Sequence, residues 1–202
     1  MSDSLTSRAK SRKPQHRQRA SQLLQRYFLF FFLAAVVGFV YEFLLDNLYY
    51  QHPYTLQGPL HGPWLVVYGV GGVAIVALVN GLRLKQRKVM AGRLNLMPLV
   101  LFVVMFFVFG VVEYVAHYVL DTFFDFRPWD YQDKPFNLNG RTCLEDVLRF
   151  ALVGLVCLYT IVPLAERLFV RLGPTRTRTL FFAVAAVFLA DCLYSLFNPL
   201  RP

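Results

Sequence analysis

Long apolar runs alternate with short polar segments along the chain, and the runs are of membrane-crossing length. They cover about residues 27–45, 63–82, 98–120, 147–165 and 179–197. A hydrocarbon core of roughly 30 Å takes about 20 residues of helix, so each run reads as one span. Water is missing inside a bilayer, so the backbone of such a run must bond to itself as helix. The expected fold is all-α, a polytopic transmembrane helical bundle of about five spans.

Charge alternates between the polar segments. Residues 1–26 hold Arg8, Lys10, Arg12, Lys13, Arg17, Arg19 and Arg26 against the single acid Asp3. Residues 83–93 carry Arg83, Lys85, Arg87, Lys88 and Arg93 with no acid, and Arg167, Arg171, Arg176 and Arg178 follow the fourth run against Glu166. The segment 46–62 has no Lys or Arg, and 121–146 is acidic. Basic loops stay on the cytoplasmic side, which puts the N-terminus in the cytoplasm and the C-terminus outside. Residues 1–26 then form a basic, mostly disordered cytoplasmic tail, and 27–202 the transmembrane helical domain, with a structured outer loop at 121–146. The first run is too long for the core of a cleavable signal and lacks a small-residue cleavage site.

Composition narrows the class. Hydrophobic residues make up 56% and charged residues 16%, too apolar for an ordinary soluble domain. The formal charge of +9 sits in the segments between spans, so it reads as a topology signal and not as a nucleic-acid surface. Cys143, Cys157 and Cys192 are scattered, without zinc spacing, so no disulfide framework or structural metal is expected. A Cys143–Cys192 pair on the outer side is left open. Gly69, Gly71 and Gly72 in the second run allow close helix approach.

Several ionisable residues lie within the spans. Glu113, His117 and Asp121 are four apart and share one helix face, as do Glu42 and Asp46 on the first span; Asp191 lies along the fifth. Such groups are costly against lipid and should point inward. Arg141 and Arg149 are the counter-charges in view for Glu113 or Asp191. Three roles fit the cluster: a buried network that holds helices in register, a polar cavity for solute or ion recognition, or a metal or catalytic centre. The last has the least support, with one His and neither HExxH nor GxSxG present. No phosphate-loop motif occurs either. Tyr41, Tyr114 and Tyr118 are suited to satisfying hydrogen bonds near the acids.

The most polar stretch is Trp129-Asp-Tyr-Gln-Asp-Lys-Pro-Phe-Asn-Leu-Asn-Gly-Arg141. Asn139-Gly140 predicts a tight turn with positive φ, and Pro135 biases Lys134 toward extended backbone. The segment is either a solvated connector with aromatic anchors or a structured loop folded over a polar cavity. Its many specific hydrogen-bonding side chains favour the second. A weaker pattern is an internal echo: Gly38 to Glu42 with Asp46 parallels Gly110 to Glu113 with His117 and Asp121. Each leads to a Leu-polar-Gly step, Leu56-Gln-Gly58 and Leu138-Asn-Gly140.

Extended through Thr142-Cys-Leu144, the polar stretch resembles the signature of the ABC-transporter type IV family of bacterial integral membrane proteins, also labelled CmpB-like. Gln132 stands where that signature has Ser. Gly58-Pro-Leu-His-Gly-Pro-Trp-Leu-Val-Val-Tyr-Gly69 resembles a second family segment, with Leu65-Val-Val67 in place of Cys-Pro-Ile. Glu42 and Glu113 fall where the family places helix glutamates. The resemblance spans about residues 38–163. It implies a permease-like subunit of the bacterial inner (plasma) membrane, multi-pass, moving a solute, with ATP hydrolysis supplied by a separate ATPase. No loop carries the EAA-x3-G pattern by which many permeases dock that ATPase.

The expectation is therefore a non-enzymatic membrane component, without cofactor, in contact with the lipid bilayer and acting as a homo-oligomer. Glu42, Glu113, His117, Asp121, Arg149 and Asp191 would form the cavity. Trp129, Asp130, Tyr131, Pro135, Phe136, Asn137, Asn139, Gly140 and Arg141 would form the outer cap. The alternatives are a structural or regulatory membrane protein and a membrane enzyme acting at the outer leaflet.

Overall fold

The computed structural model describes residues 3–50, 58–82, 84 and 87–199, with side chains in the first stretch from 20 to 48. The basic side chains from Arg8 to Arg19, the residues Arg83 and Lys85, and the Leu56-Gln57 part of the internal echo lie outside the described residues.

The chain is mostly helical. Helix α1 runs Asp3–Leu44 and continues into a wider π-helical stretch, Leu45–Tyr50. Its backbone is helical well before the apolar run begins, where coil was expected. The polar segment is rich in Ala, Arg, Lys, Gln and Leu, which all favour helix, so the helix extends upstream from its apolar part. Helix α2 spans Val66–Gly81, α3 Met97–Phe124, α4 Leu144–Tyr159 and α5 Ile161–Phe197. Two short antiparallel hairpins fill connections: β1 Met90–Ala91 with β2 Leu94–Asn95, and β3 Asn137–Leu138 with β4 Thr142–Cys143.

Local chemistry sets the helix ends. Asn95 Oδ1 accepts the Met97 N–H at 3.1 Å, and Pro98 fits the first turn of α3, where no backbone donor is needed. At the far end Asp125 takes a left-handed conformation (φ 49°) that stops the helix. Glu145 and Asp146 lie in the first turn of α4, where negative charge is favoured. Helix α5 is broken at Gly173, whose φ of 71° leaves helical space just before Pro174.

Helix α1 packs on α2 and α5, α2 on α3, α3 on α4, and α4 on α5, which closes a ring. The α1–α2 seam is close because glycines line it. A Cβ on Gly72 would lie 2.5 Å from Ala34 Cβ, and one on Gly69 would meet the Phe31 ring. Near Met97 the core is dry: Ile75, Val79, Leu101, Met105, Ala151 and Leu158 are buried together. Outward faces are apolar too, with Phe107, Leu152 and Leu164 all more than half exposed. A soluble monomer rarely shows so much apolar surface, whereas helices in lipid do. Among the described residues three stretches, Ala20–Leu48, Met97–Phe124 and Leu144–Phe197, are long and apolar enough to cross a membrane, and Val66–Gly81 is a shorter apolar helix. The chain is a helical membrane protein.

A candidate polar groove at one end of the helix ring

The loop signature folds as a self-bonded unit. Asn139 and Gly140 both have positive φ (54° and 68°), as a tight hairpin turn requires. Gly140 has no room for a side chain, because a Cβ would lie 2.7 Å from Gln132. Asp130 Oδ1 accepts the Gln132 N–H at 2.9 Å, and Asn137 Oδ1 accepts the Gly140 N–H at 3.0 Å. The Asn137 amide donates in turn to the carbonyls of Gln132 and Lys134. Trp129 Nε1–H donates to the Arg141 carbonyl at 2.8 Å, and Tyr131 N–H to the Gly140 carbonyl at 2.9 Å. These bonds close 129–141 into a compact structured loop. Pro135 and Phe136 form its outer edge, with Phe136 82% exposed.

Two tethers hold this loop on α3. His117 Nε2–H donates to the Trp129 carbonyl at 2.9 Å, which fixes its tautomer. His117 Nδ1 is left buried without a partner among the described residues. The second tether is Tyr114, whose hydroxyl accepts from Asn139 at 3.0 Å and from Arg141 at 3.3 Å. The Arg141 guanidinium also lies over the Tyr114 and Tyr118 rings and pairs with Asp121 at 3.5 Å. Arg127 pairs with Asp121 at 2.7 Å.

Beneath the loop lie the two buried glutamates. Glu113 accepts from Thr142 Oγ1 at 2.5 Å and from the Tyr131 hydroxyl. Glu42 accepts from the Tyr68 hydroxyl of α2. Burial, and then the neighbouring carboxyls of Glu113 and Asp146, push the Tyr131 hydroxyl well above the usual phenol range. It therefore stays protonated and able to donate. Cys143, also buried, is pushed up to about 11 by desolvation and by its bond to Asp146, whose Oδ2 accepts from the thiol at 3.0 Å.

Glu42 and Glu113 both line a groove of about 1310 Å³. One wall is α3, through Val111, Val115 and Val119; the other includes Phe188 and Leu196 of α5. Tyr68, Trp129 and Tyr131 stand at the acidic floor. A smaller apolar cavity of about 110 Å³ lies in the ring interior, and Val67, Tyr68, Val112, Glu113 and Phe150 line both spaces.

Other expected cavity residues are placed elsewhere. Arg149 does not pair with Glu113 or Asp191. It bonds Glu145 and Asp146, the latter at 2.6 Å, because these carboxylates stand one turn back on its own helix. Arg141 likewise turns to Asp121 and the tyrosine rings. Asp191 lies across the bundle and accepts from Gly62 N–H at 3.1 Å and Trp64 Nε1–H at 2.9 Å, so it pins the segment entering α2 onto α5. His61 Nδ1 and Ser195 Oγ, 2.9 Å apart, reinforce the same seam. His117 and Asp121 position the loop and do not line the groove. All three cysteines are free, so Cys143 and Cys192 are not joined. Among the described residues no group of three His, Cys, Asp or Glu is placed to hold a metal ion.

With that geometry in view, a family model described as "Putative ABC-transporter type IV" matches residues 29–196. The chain belongs to this family. The match takes in every helix from the apolar part of α1 to nearly the end of α5, and so includes both glutamates and the loop signature. No curated protein and no solved structure gives a match.

Thr142 and Tyr68 were not singled out as partners of the glutamates by sequence reasoning. Thr142 sits inside the loop signature, one residue from Arg141, and that adjacency was the available signal.

Proposed function

We propose that this member of the ABC-transporter type IV family is the membrane-spanning component of a transporter, and that the groove over Glu42 and Glu113 holds its solute. The observation that carries this reading is the groove itself: a space of about 1310 Å³ with apolar walls and two buried carboxyls at its floor. Buried acids in a span are costly unless they face partners or a path, and here they face both.

Five crossings fit this reading. The chain breaks at Thr160 and at Gly173-Pro174. Beyond the second break Phe181 packs on Phe28, Phe188 on Phe32, and Asp191 on Trp64, so α5 climbs beside α1 toward the acidic end. The exposed Arg26, Arg87, Arg93, Arg171 and Arg176 gather at the opposite end, as a cytoplasmic face would require. On this reading the N-terminus is cytoplasmic, the C-terminus is outside, and the membrane is the bacterial inner one. ATP hydrolysis then belongs to a separate subunit, the chain works as a homo-oligomer, and it performs no chemistry of its own.

A second reading has its own support. Glu42 and Glu113 each already accept hydrogen bonds from neutral hydroxyls, as a purely structural network would arrange. Extraction in mild detergent followed by mass spectrometry of proteins and small molecules separates the two. The transporter reading expects a stoichiometric ATPase and a bound solute. A stable oligomer with neither would support the structural one.

A further inference from the structure

We propose that the groove takes a cationic amphiphile, an ammonium head on a single apolar chain, with the head at Glu42 and Glu113 and the chain along the α3 and α5 walls. This names the substrate class of the transporter reading above and rests on it.

Charge decides the head. Among the described residues that line the groove, the charged side chains are Glu42, Glu113 and Asp125, with no Lys, Arg or His. Neither Arg149, which bonds Glu145 and Asp146, nor Arg141, which bonds Asp121, lines the groove. The glutamates are held by the neutral hydroxyls of Tyr68, Tyr131 and Thr142. An anionic head would meet carboxylates in a low-dielectric site, whereas a cation would neutralise them. The same floor presents Tyr68, Tyr131, Trp129 and Phe150, and aromatic faces attract an ammonium group.

Shape and polarity decide the rest. A bare metal ion needs several converging oxygen ligands, and the walls offer valines and phenylalanines instead. At about 1310 Å³ the space exceeds the roughly 300–1,000 Å³ of an ordinary small-molecule site. Val111, Val115 and Val119 recur every four residues, so they share one face of α3; they are partly exposed and line the same groove as the acids.

The test uses the full chain in phosphatidylcholine nanodiscs, titrated calorimetrically with dodecyltrimethylammonium, with empty discs subtracted for bilayer partition. Saturable binding at one site per chain is expected, at least about tenfold tighter than dodecyl maltoside, which has the same chain and a neutral head. The double variant Glu42→Gln with Glu113→Gln should lose that preference while keeping its melting temperature. Val115→Trp, which fills the groove and leaves both acids in place, should weaken binding of the cation as well. Equal binding of the cation and the maltoside overturns the proposal, as does undiminished cation binding in both variants. Dodecylphosphocholine binding as tightly as the cation also overturns it, in favour of a zwitterionic lipid head. Transport of another solute without cation binding refutes the ligand class alone. Cation binding by a protein that moves nothing supports the ligand class and refutes the transporter reading.

Discussion

Near Met97, Leu101 and Met105 have no exposed surface and pack on Val79, Ala151 and Leu158, with no polar side chain among them. Farther along α3, and on α1, Glu113 and Glu42 are also buried, yet they touch hydroxyls and line an open groove. One end holds by close packing and the other by directed hydrogen bonds. In lipid, apolar burial adds little drive between helices, so the packed end depends on fit, and the polar end on the hydroxyls that donate to the acids. A ring that is plugged at one end and hollow at the other can keep its shape while its acids are left to bind.

The comparison breaks most visibly at the plug. Leu101→Ala leaves a void in a fully buried site and should cost about 2–5 kcal/mol, read by thermal unfolding in nanodiscs, with the groove's ligand binding unchanged. Next comes Asp191→Ala. It strips the acceptor from both Gly62 and Trp64, and should cost about 1–3 kcal/mol and shift Trp64 fluorescence to the red as the ring gains water. Glu113→Gln keeps the shape and can still accept from Thr142. It should change stability by less than about 1 kcal/mol and remove most of the cation preference.

The smallest effect concerns Cys143 at the edge of the loop. Its thiol ionises from 9.0 when unfolded but only from about 11 when folded, so the folded state holds the extra proton between these values. That contribution is complete below pH 9 and fades as pH rises toward 11. Cys143→Ser can still donate to Asp146 but does not titrate there. Its melting temperature should match the parent at pH 7 and fall less between pH 9 and 11.

The apolar helices were legible because runs of span length leave the backbone no other choice, but the break at Thr160, inside the expected fourth span of 147–165, was not. The Asn139-Gly140 turn was legible because few residues accept positive φ. The loop's dense polar side chains announced a structured unit, and they do bond to one another. Partner choice was not legible. Glu145 and Asp146 stand four and three residues before Arg149, and that local spacing prevails over the more distant Glu113. Asp191 finds Gly62 and Trp64 across more than 120 residues of chain, a match that depends on how far α5 turns after Gly173. The helicity of the segment after Asp3 was missed because charge was weighed above helix propensity.

The central claim is that the buried glutamates bind something and are not merely pins. One paired measurement tests it most directly: melting temperature and retained small molecules, by native mass spectrometry, for the parent chain, Leu101→Ala and the double variant Glu42→Gln with Glu113→Gln. The account predicts that Leu101→Ala melts early and keeps its amphiphile, while the double variant melts with the parent and loses it. A double variant that melts as early as Leu101→Ala would contradict the claim and make the acids structural.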